Sequence, residues 1–242
     1  IWFGNYWQED TNGDGKADRN DTKTPIKWRV LSVEGDDVFL LADKNMDCQM
    51  YNDTDTDVTW ETCTMRSWLN GYGAEKNKEG KDYRDNNFLN NAFSTGEQSE
   101  IKTTNVVNND NPEYSIEGGS DTSDKVYLLS IDEVASSGYG FTYSNDDTNT
   151  RLAVNTAYTA AGGEIGSKIE SEDMSNAGLK DDWWLRSPGR YSNYASYVHG
   201  DGNVSTYGFN VNLLNRAVRP ALHLNLSSVS SWSYAGTVPS DD

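Results

Sequence analysis

Alternating apolar and polar residues form the first clear pattern in the chain. The segment "PIKWRVLSV" (25–33) places apolar side chains at every second position from Ile26 to Val30, which is the repeat of a half-buried strand. The segment "EGDD" (34–37) is typical of a turn, and the mostly apolar "VFLLAD" (38–43) follows it. Together these segments predict a β-hairpin.

Helical spacing replaces this alternation in three later segments. "WETCTMRSWLNGYG" (60–73) and "NNFLNNAFSTGEQSEI" (86–101) carry apolar residues three and four apart, and Asn-Gly ends the first pattern. Both segments predict short helices. After a predicted strand at 126–129, Ser130 and Glu133 have the spacing of a capping box, so a third helix is expected to begin there.

The last part of the chain reads as β structure throughout. Its predicted strands are "WWLRS" (183–187), "ASYVH" (195–199), "NVST" (203–206), "FNVNL" (209–213) and "AVRPALHLNL" (217–226). Short helices followed by a mainly antiparallel sheet predict the α+β class. We expect one globular domain over 1–228 with an inserted loop at 8–24, followed by a Ser-rich tail or linker at 229–242.

Composition narrows the classes of partner. Of 242 residues, 28 are aromatic (8 Trp, 14 Tyr and 6 Phe), enough to build a core from few side chains, and the net charge is −18. Such a charge repels the phosphates of nucleic acids and anionic lipids. The chain has no apolar run of membrane-spanning length and starts at Ile1, so we expect a mature segment of a secreted or surface-attached extracellular protein without direct membrane insertion.

The segment "QEDTNGDGKADRND" (8–21) has the oxygen spacing of a calcium loop. Counted from Asp10, oxygen side chains occupy the first, third, fifth, ninth and twelfth positions, namely Asp10, Asn12, Asp14, Asp18 and Asp21. Gly15 stands at the sixth position, which needs a sharp turn, and Lys16 at the seventh can offer its carbonyl oxygen. The flanking segments look extended, so we predict one structural calcium rather than a calcium switch. A plain acidic turn is the alternative.

The cysteines and histidines show no catalytic pattern. Cys48 and Cys63 are the only two cysteines, and in an exported protein they favour one disulfide, with two buried thiols as the alternative. The two histidines belong to no zinc, phosphate-loop or nucleophile motif. The sequence therefore indicates a non-catalytic domain.

Aromatic, Arg and Asn residues concentrate between positions 181 and 202. The candidate ligand-binding residues in this segment are Trp183, Arg186, Arg190, Tyr191, Tyr194 and His199. Side chains of these types stack on sugar rings or act as hot spots for protein partners. The alternative is structural: one of the two adjacent tryptophans must face inward, and Arg186 suits pinning a loop.

Several motifs carry a family resemblance. "FGNYWQ", "PIKWRVL", "WETCTMRSWLN", "FLNNAFS", "DKVYLLSIDEV", "WWLRSPG" and "RAVRPALHLNL" resemble an uncharacterised domain family of secreted and surface proteins of Gram-positive anaerobes. This resemblance spans nearly the whole chain and implies a location rather than a reaction.

A second resemblance concerns the fold. The Trp-rich strand, "ASYVHGDGNV" and "VRPAL" are similar to C-type-lectin-like domains of the formylglycine-generating type, without the cysteine nucleophiles of those enzymes. It implies a C-type-lectin-like core with Arg186 and Arg219 as core pins. The expected function is recognition of a glycan or a surface protein by an adhesion domain. A carbohydrate-active hydrolase with an unrecognised carboxylate pair and a structural spacer are the alternatives.

Overall fold

The computed structural model describes residues 1–143, 149–163, 177–214, 216–228, 232–234 and 236. Its strands are Trp2–Tyr6 (β1), Thr24–Glu34 (β2), Asp37–Ala42 (β3), Asp47–Cys48 (β4), Thr104–Val106 (β5), Thr122–Asp124 (β6), Val126–Tyr127 (β7), Trp183–Pro188 (β8), Tyr194–Val198 (β9), Val204–Asn210 (β10), Ala217–Val218 (β11) and Ala221–Asn225 (β12). Its α-helices are Thr64–Asn70 (α1), Phe88–Ala92 (α2), Thr95–Glu100 (α3), Ile131–Ala135 (α4) and Ala157–Ala160 (α5).

The strands form two five-stranded sheets and a small ribbon. The first sheet has the order β1-β2-β3-β12-β7, the second β10-β9-β8-β11-β4, and β5 pairs with β6. All strand pairs among the described residues are antiparallel except β11 with β8. The protein is therefore a mixed α and β fold of mostly antiparallel sheets with a few short helices, but it has two main sheets where the sequence predicted one.

Local signals in the sequence placed the early elements correctly. β2 and β3 form the predicted hairpin, and α1 ends at Gly71, whose φ of 69° suits glycine. The predicted capping box joins Ser130 and Glu133 at the start of α4. A second capping box, of Ser94 with Glu97, starts α3.

Two strand predictions near the end of the chain were wrong. The segments 203–206 and 209–213 contribute to one strand, β10, because the chain passes through Gly208 at a φ of 71° without leaving the sheet. The segment 217–226 is instead divided at Arg219 and Pro220. As a result β11 joins the second sheet while β12 lies between β3 and β7 in the first.

Both adjacent tryptophans of β8 are fully buried, because β8 is covered on both of its faces. The Trp183 ring lies 5.0 Å from the Arg219 guanidinium, and the Trp184 ring lies 5.1 Å from that of Arg216. Each indole N–H donates to a backbone carbonyl. Trp183 is therefore a core residue, which corrects its prediction as a ligand contact.

The two cysteines are free, buried thiols, which corrects the predicted disulfide. Cys63 is the N-cap of α1, where its sulfur accepts a hydrogen bond from the N–H of Arg66. Cys48 lies in β4, and its sulfur contacts the carbonyl oxygens of Leu214 and Arg216. Each thiol thus has separate partners in a different part of the core.

The predicted tail at 229–242 lies largely outside the described residues. Within it, Ser233 forms an antiparallel bridge with Trp2 of β1. The division into a domain over 1–228 and a tail remains a prediction. Among the described residues, none of the helices combines the length and apolar character needed to cross a bilayer.

Candidate binding surface

Three of the predicted ligand-binding residues meet at the surface of the second sheet. Arg190, Tyr191 and Tyr194 belong to the β8–β9 connection and the first position of β9. Rings from β10 and from the loop between β5 and β6 join them. We call this cluster the tyrosine surface, and its members are Tyr114, Arg190, Tyr191, Tyr194, Tyr207 and Phe209.

Cation–π and edge contacts hold the tyrosine surface together. The Arg190 guanidinium lies 5.7, 5.4 and 5.3 Å from the ring centroids of Tyr114, Tyr191 and Tyr207. Tyr191 lies nearly perpendicular to Tyr194 and to Tyr207, at 84° and 85°. Tyr191 and Tyr207 nevertheless remain 45% and 42% exposed. The surface is therefore ordered and rich in exposed aromatic area, but it offers no flat platform of coplanar rings.

Neighbouring segments fix the loop that carries Arg190 and Tyr191. The Arg190 N–H donates to the carbonyl oxygen of Tyr207 at 2.7 Å. On the other side of the loop, the Ser192 hydroxyl donates to Asp57 at 2.7 Å and the Asn193 amide to Asp55 at 2.8 Å. The acidic segment after β4 thus acts as a support that holds the loop in one conformation.

A buried asparagine positions Tyr114 beside the same loop. The Asn111 side-chain amide donates to the carbonyl oxygens of Pro188 and Thr206, both at 2.8 Å. Its side-chain oxygen accepts the N–H of Tyr114 at 3.0 Å. The long polar segment between β5 and β6 therefore contributes Tyr114 to the tyrosine surface. The sequence did not predict Tyr114 as a ligand contact.

Tyr207 and Phe209 were also missed, although their spacing in β10 gives a weak signal. Two aromatic residues two apart in a strand, with polar neighbours, indicate one aromatic face. The break predicted at Gly208 concealed this pattern. A Cβ atom at Gly208 would lie 2.5 Å from the carbonyl oxygen of Ala195, so glycine allows β10 to pack closely at this point.

Arg186 lies in β8 but is buried, which corrects its prediction as a ligand contact. Its guanidinium donates to the carbonyl oxygens of Leu128 and Val107 at 2.8 and 2.9 Å. It also pairs with Glu133. Arg186 therefore ties β8 to α4 and the ribbon. This agrees with the alternative prediction that Arg186 has a structural role.

His199 follows β9 at the end opposite Tyr194, and it does not join the tyrosine surface. Its ring nitrogens lie 3.2 Å from the Tyr197 hydroxyl and 3.6 Å from an Asp182 oxygen. The hydrogen bond to Asp182 is the main cause that raises the pKa of His199. Its nearest partners are thus groups of the same sheet.

The predicted calcium loop connects β1 to β2, with a strand before and after it. The Asp10 carboxylate accepts the N–H groups of Gly13 and Gly15, both at 2.7 Å. Asp21 accepts the N–H groups of Thr11 and Asp18, also at 2.7 Å, and these backbone bonds lower the pKa of Asp21. The loop is therefore folded around its own carboxylates.

The donor set of this loop fits calcium in kind, since its side chains offer hard carboxylate and amide oxygens. Their arrangement fits less well: over the described ranges, no three His, Cys, Asp or Glu side chains are grouped closely enough to hold a metal ion. Binding would require the carboxylates to move towards a common centre.

Comparisons with known proteins give a family but no activity. A family model described as a domain of unknown function (DUF6273) matches residues 35–226. That description names no enzymatic activity. No curated protein and no solved structure is significantly similar to the chain.

Proposed function

We propose that this chain, which belongs to the DUF6273 family of unknown function, is a non-catalytic recognition domain. It binds a protein partner through its tyrosine surface. The supporting observation is the cluster of exposed tyrosines around Arg190 on a loop with hydrogen bonds on both sides. Tyr and Arg are enriched among interface hot spots. A loop that is already ordered loses little conformational entropy on binding.

The ring geometry favours a protein over a glycan at this surface. A glycan-binding platform calls for exposed, coplanar rings, whereas Tyr191 lies nearly perpendicular to both Tyr194 and Tyr207. Perpendicular rings present an uneven surface of ring edges and faces instead, against which the side chains of a protein partner can pack.

A neighbouring groove adds electrostatic character to the proposed interface. The groove has a volume of about 1200 Å³ and begins at Ser192 of the tyrosine loop. Its carboxylates are Asp57, Glu61, Glu75, Glu117 and Asp121. Its cations are Arg66, Lys76 and Lys78, but Arg66 is already paired with Asp124 outside the groove. The excess of negative charge favours partners with a basic segment beside the aromatic contacts.

Tyr191→Ala is expected to weaken binding of a selected partner about 30-fold, the effect of losing about 2 kcal/mol at a hot spot. Partners would be selected from a displayed peptide library on the wild-type domain, and affinities would be measured by surface plasmon resonance. Tyr143→Ala is the matched control, because Tyr143 is 46% exposed and lies outside the surface.

Equal losses for the two variants would contradict the proposal. A glycan array run in parallel tests whether the ligand of this surface is a glycan instead of a protein. Binding of a glycan that Tyr191→Ala abolishes would replace the protein partner with a glycan at this surface.

The proposal includes an extracellular, surface-attached location and one structural calcium in the loop 8–24. Support comes from the EF-hand spacing, the folded Asx turns and the strongly acidic chain. Asp in place of Glu at the twelfth position implies weak affinity, which suits the high calcium levels outside cells.

Calcium at about ten times its Kd is expected to stabilise the domain by about 1.4 kcal/mol. For a chain of this size, that corresponds to a rise in Tm of about 4 °C. Asp14→Ala should abolish this rise, whereas Asp36→Ala, an exposed residue on the β2–β3 turn, should preserve it. Melting curves with calcium and with chelator test the prediction. An unchanged wild-type Tm would show that the loop is an acidic turn that binds no calcium.

A C-type-lectin-like fold is also part of the proposal. In support, β8 carries two buried tryptophans, and a turn closed by the His199 N–H to Asn203 hydrogen bond of 2.8 Å follows β9. The buried Arg219, which lies between β11 and β12, donates to the carbonyl oxygen of Ala42 at 2.8 Å. Superposition of an experimental structure on such domains tests this assignment.

A further inference from the structure

A cleft of about 500 Å³ opens beside β1 and the start of β2. This volume lies within the range of roughly 300–1,000 Å³ that is usual for small-molecule sites. The cleft and the tyrosine surface share no residue. The side chains that matter for its chemistry are Trp2, Asn5, Glu9, Lys27, Asp43, Lys44 and Glu97.

An exposed tryptophan forms one wall of the cleft. Trp2 is 37% exposed, and its backbone is held on two sides. It pairs with Lys27 in β2, and it exchanges backbone hydrogen bonds of 2.7 and 3.0 Å with Ser233. An exposed indole on a backbone held in this way is a stacking surface for a ligand.

The polar groups of the cleft are varied and nearly balanced in charge. Two ammonium groups face three carboxylates, and Lys27 already lies 3.3 Å from an Asp43 oxygen. The Asn5 amide offers both a donor and an acceptor. The cleft thus carries a formal charge of about −1, in a chain whose net charge is −18. It favours an uncharged ligand with several groups that both donate and accept hydrogen bonds.

We infer that this cleft binds an uncharged pyranose saccharide, with one sugar ring stacked on Trp2. A pyranose has an apolar C–H face for the indole and hydroxyl groups for the amide, ammonium and carboxylate side chains. The site is separate from the protein-binding surface, so the two activities can be lost independently. The chain would then hold a saccharide at one face and a protein partner at another.

The test is a titration of the full chain with a panel of neutral disaccharides (cellobiose, N,N′-diacetylchitobiose, maltose and lactose), with a uronic-acid disaccharide as the charged comparison, by calorimetry and saturation-transfer NMR. Concentrations up to about 10 mM fill even a site with a millimolar Kd. Trp2→Ala is expected to weaken binding at least about tenfold, the effect of about 1.4 kcal/mol. Asn5→Ala, at an exposed position, should weaken it in the same direction.

Tyr143→Ala is the matched control, because Tyr143 is an aromatic residue that is 46% exposed and does not line the cleft. It should leave saccharide affinity within about twofold. The inference is overturned if no disaccharide of the panel binds, if only the uronic-acid disaccharide binds, or if Tyr143→Ala matches Trp2→Ala. None of these results bears on the tyrosine surface.

Discussion

Asp124→Ala is expected to lower the free energy of unfolding by about 3–5 kcal/mol, the cost of leaving a buried charge without its partner. Asp124 lies in β6 with no exposed surface. It accepts the Arg66 guanidinium N–H at 2.8 and 3.0 Å, the Trp60 indole N–H at 3.0 Å and the Thr122 hydroxyl at 2.7 Å. One carboxylate thus joins the ribbon to α1 and to the segment before it.

Urea unfolding at pH 7 measures the loss. The control is Asp82→Ala, which removes an exposed pair with Arg84 and should cost less than about 1 kcal/mol. The double variant Arg66→Ala with Asp124→Ala should be more stable than additivity predicts, because it removes both charges. Equal losses for Asp124→Ala and Asp82→Ala would show that the buried pair does not hold these elements together.

Elements with local signals were predictable from the sequence. The Ser130–Glu133 capping box is specified by two residues three apart, so α4 starts where the sequence placed it. The β2–β3 hairpin likewise depends on adjacent segments and a short turn. Pro220 is a signal against one continuous strand over 217–226, but no residue in the segment indicates that its two halves would join different sheets.

The tyrosine surface was only half predictable, because burial depends on layers distant in sequence. Arg186 and Arg190 are four positions apart, yet the first is covered by α4 and the ribbon and the second is exposed. Tyr114 reaches the surface through the hydrogen bonds of Asn111 to β10 and Pro188. No spacing in the sequence of the 103–124 segment encodes those contacts.

The cysteines illustrate the same limit. Exported character favoured a disulfide, but pairing needs two sulfur atoms directed at each other. Cys63 instead caps α1, and Cys48 faces the carbonyl oxygens of Leu214 and Arg216. Whether the disulfide forms is decided by where the fold places the two cysteines, here at the start of α1 and in β4, and not by their number.

Asp47 is expected to make the protein less stable as the pH rises from about 4 to about 7. Its carboxyl is fully buried in β4, where it accepts the Tyr6 hydroxyl at 2.5 Å and the Cys48 N–H at 2.7 Å. Burial raises the pKa of Asp47 from 3.8 to about 7, against the opposing effect of these two hydrogen bonds. Below pH 4 the carboxyl is protonated in both the folded and unfolded states, so burial carries no ionisation cost.

Between these values the unfolded chain releases the proton and the folded protein retains it, so rising pH favours unfolding. Since each unit of pKa difference corresponds to about 1.4 kcal/mol, the full effect is about 4 kcal/mol, of which about 3 kcal/mol falls between pH 4.5 and pH 7.5. Asp47→Asn cannot ionise and should lack this dependence. Its stability relative to wild type should therefore rise by about 3 kcal/mol over that interval.

Urea unfolding of both proteins at pH 4.5 and pH 7.5 measures this difference, in which the titrations common to the two chains cancel. Asp36→Asn controls for the loss of one carboxylate at an exposed turn. An equal stability difference between Asp47→Asn and wild type at both pH values would show that Asp47 ionises in the folded protein as readily as in the unfolded chain. The Tyr6 and Cys48 hydrogen bonds would then compensate fully for burial of the charge, and Asp47 would link β4 of the second sheet to Tyr6 of the first as an ionised acceptor.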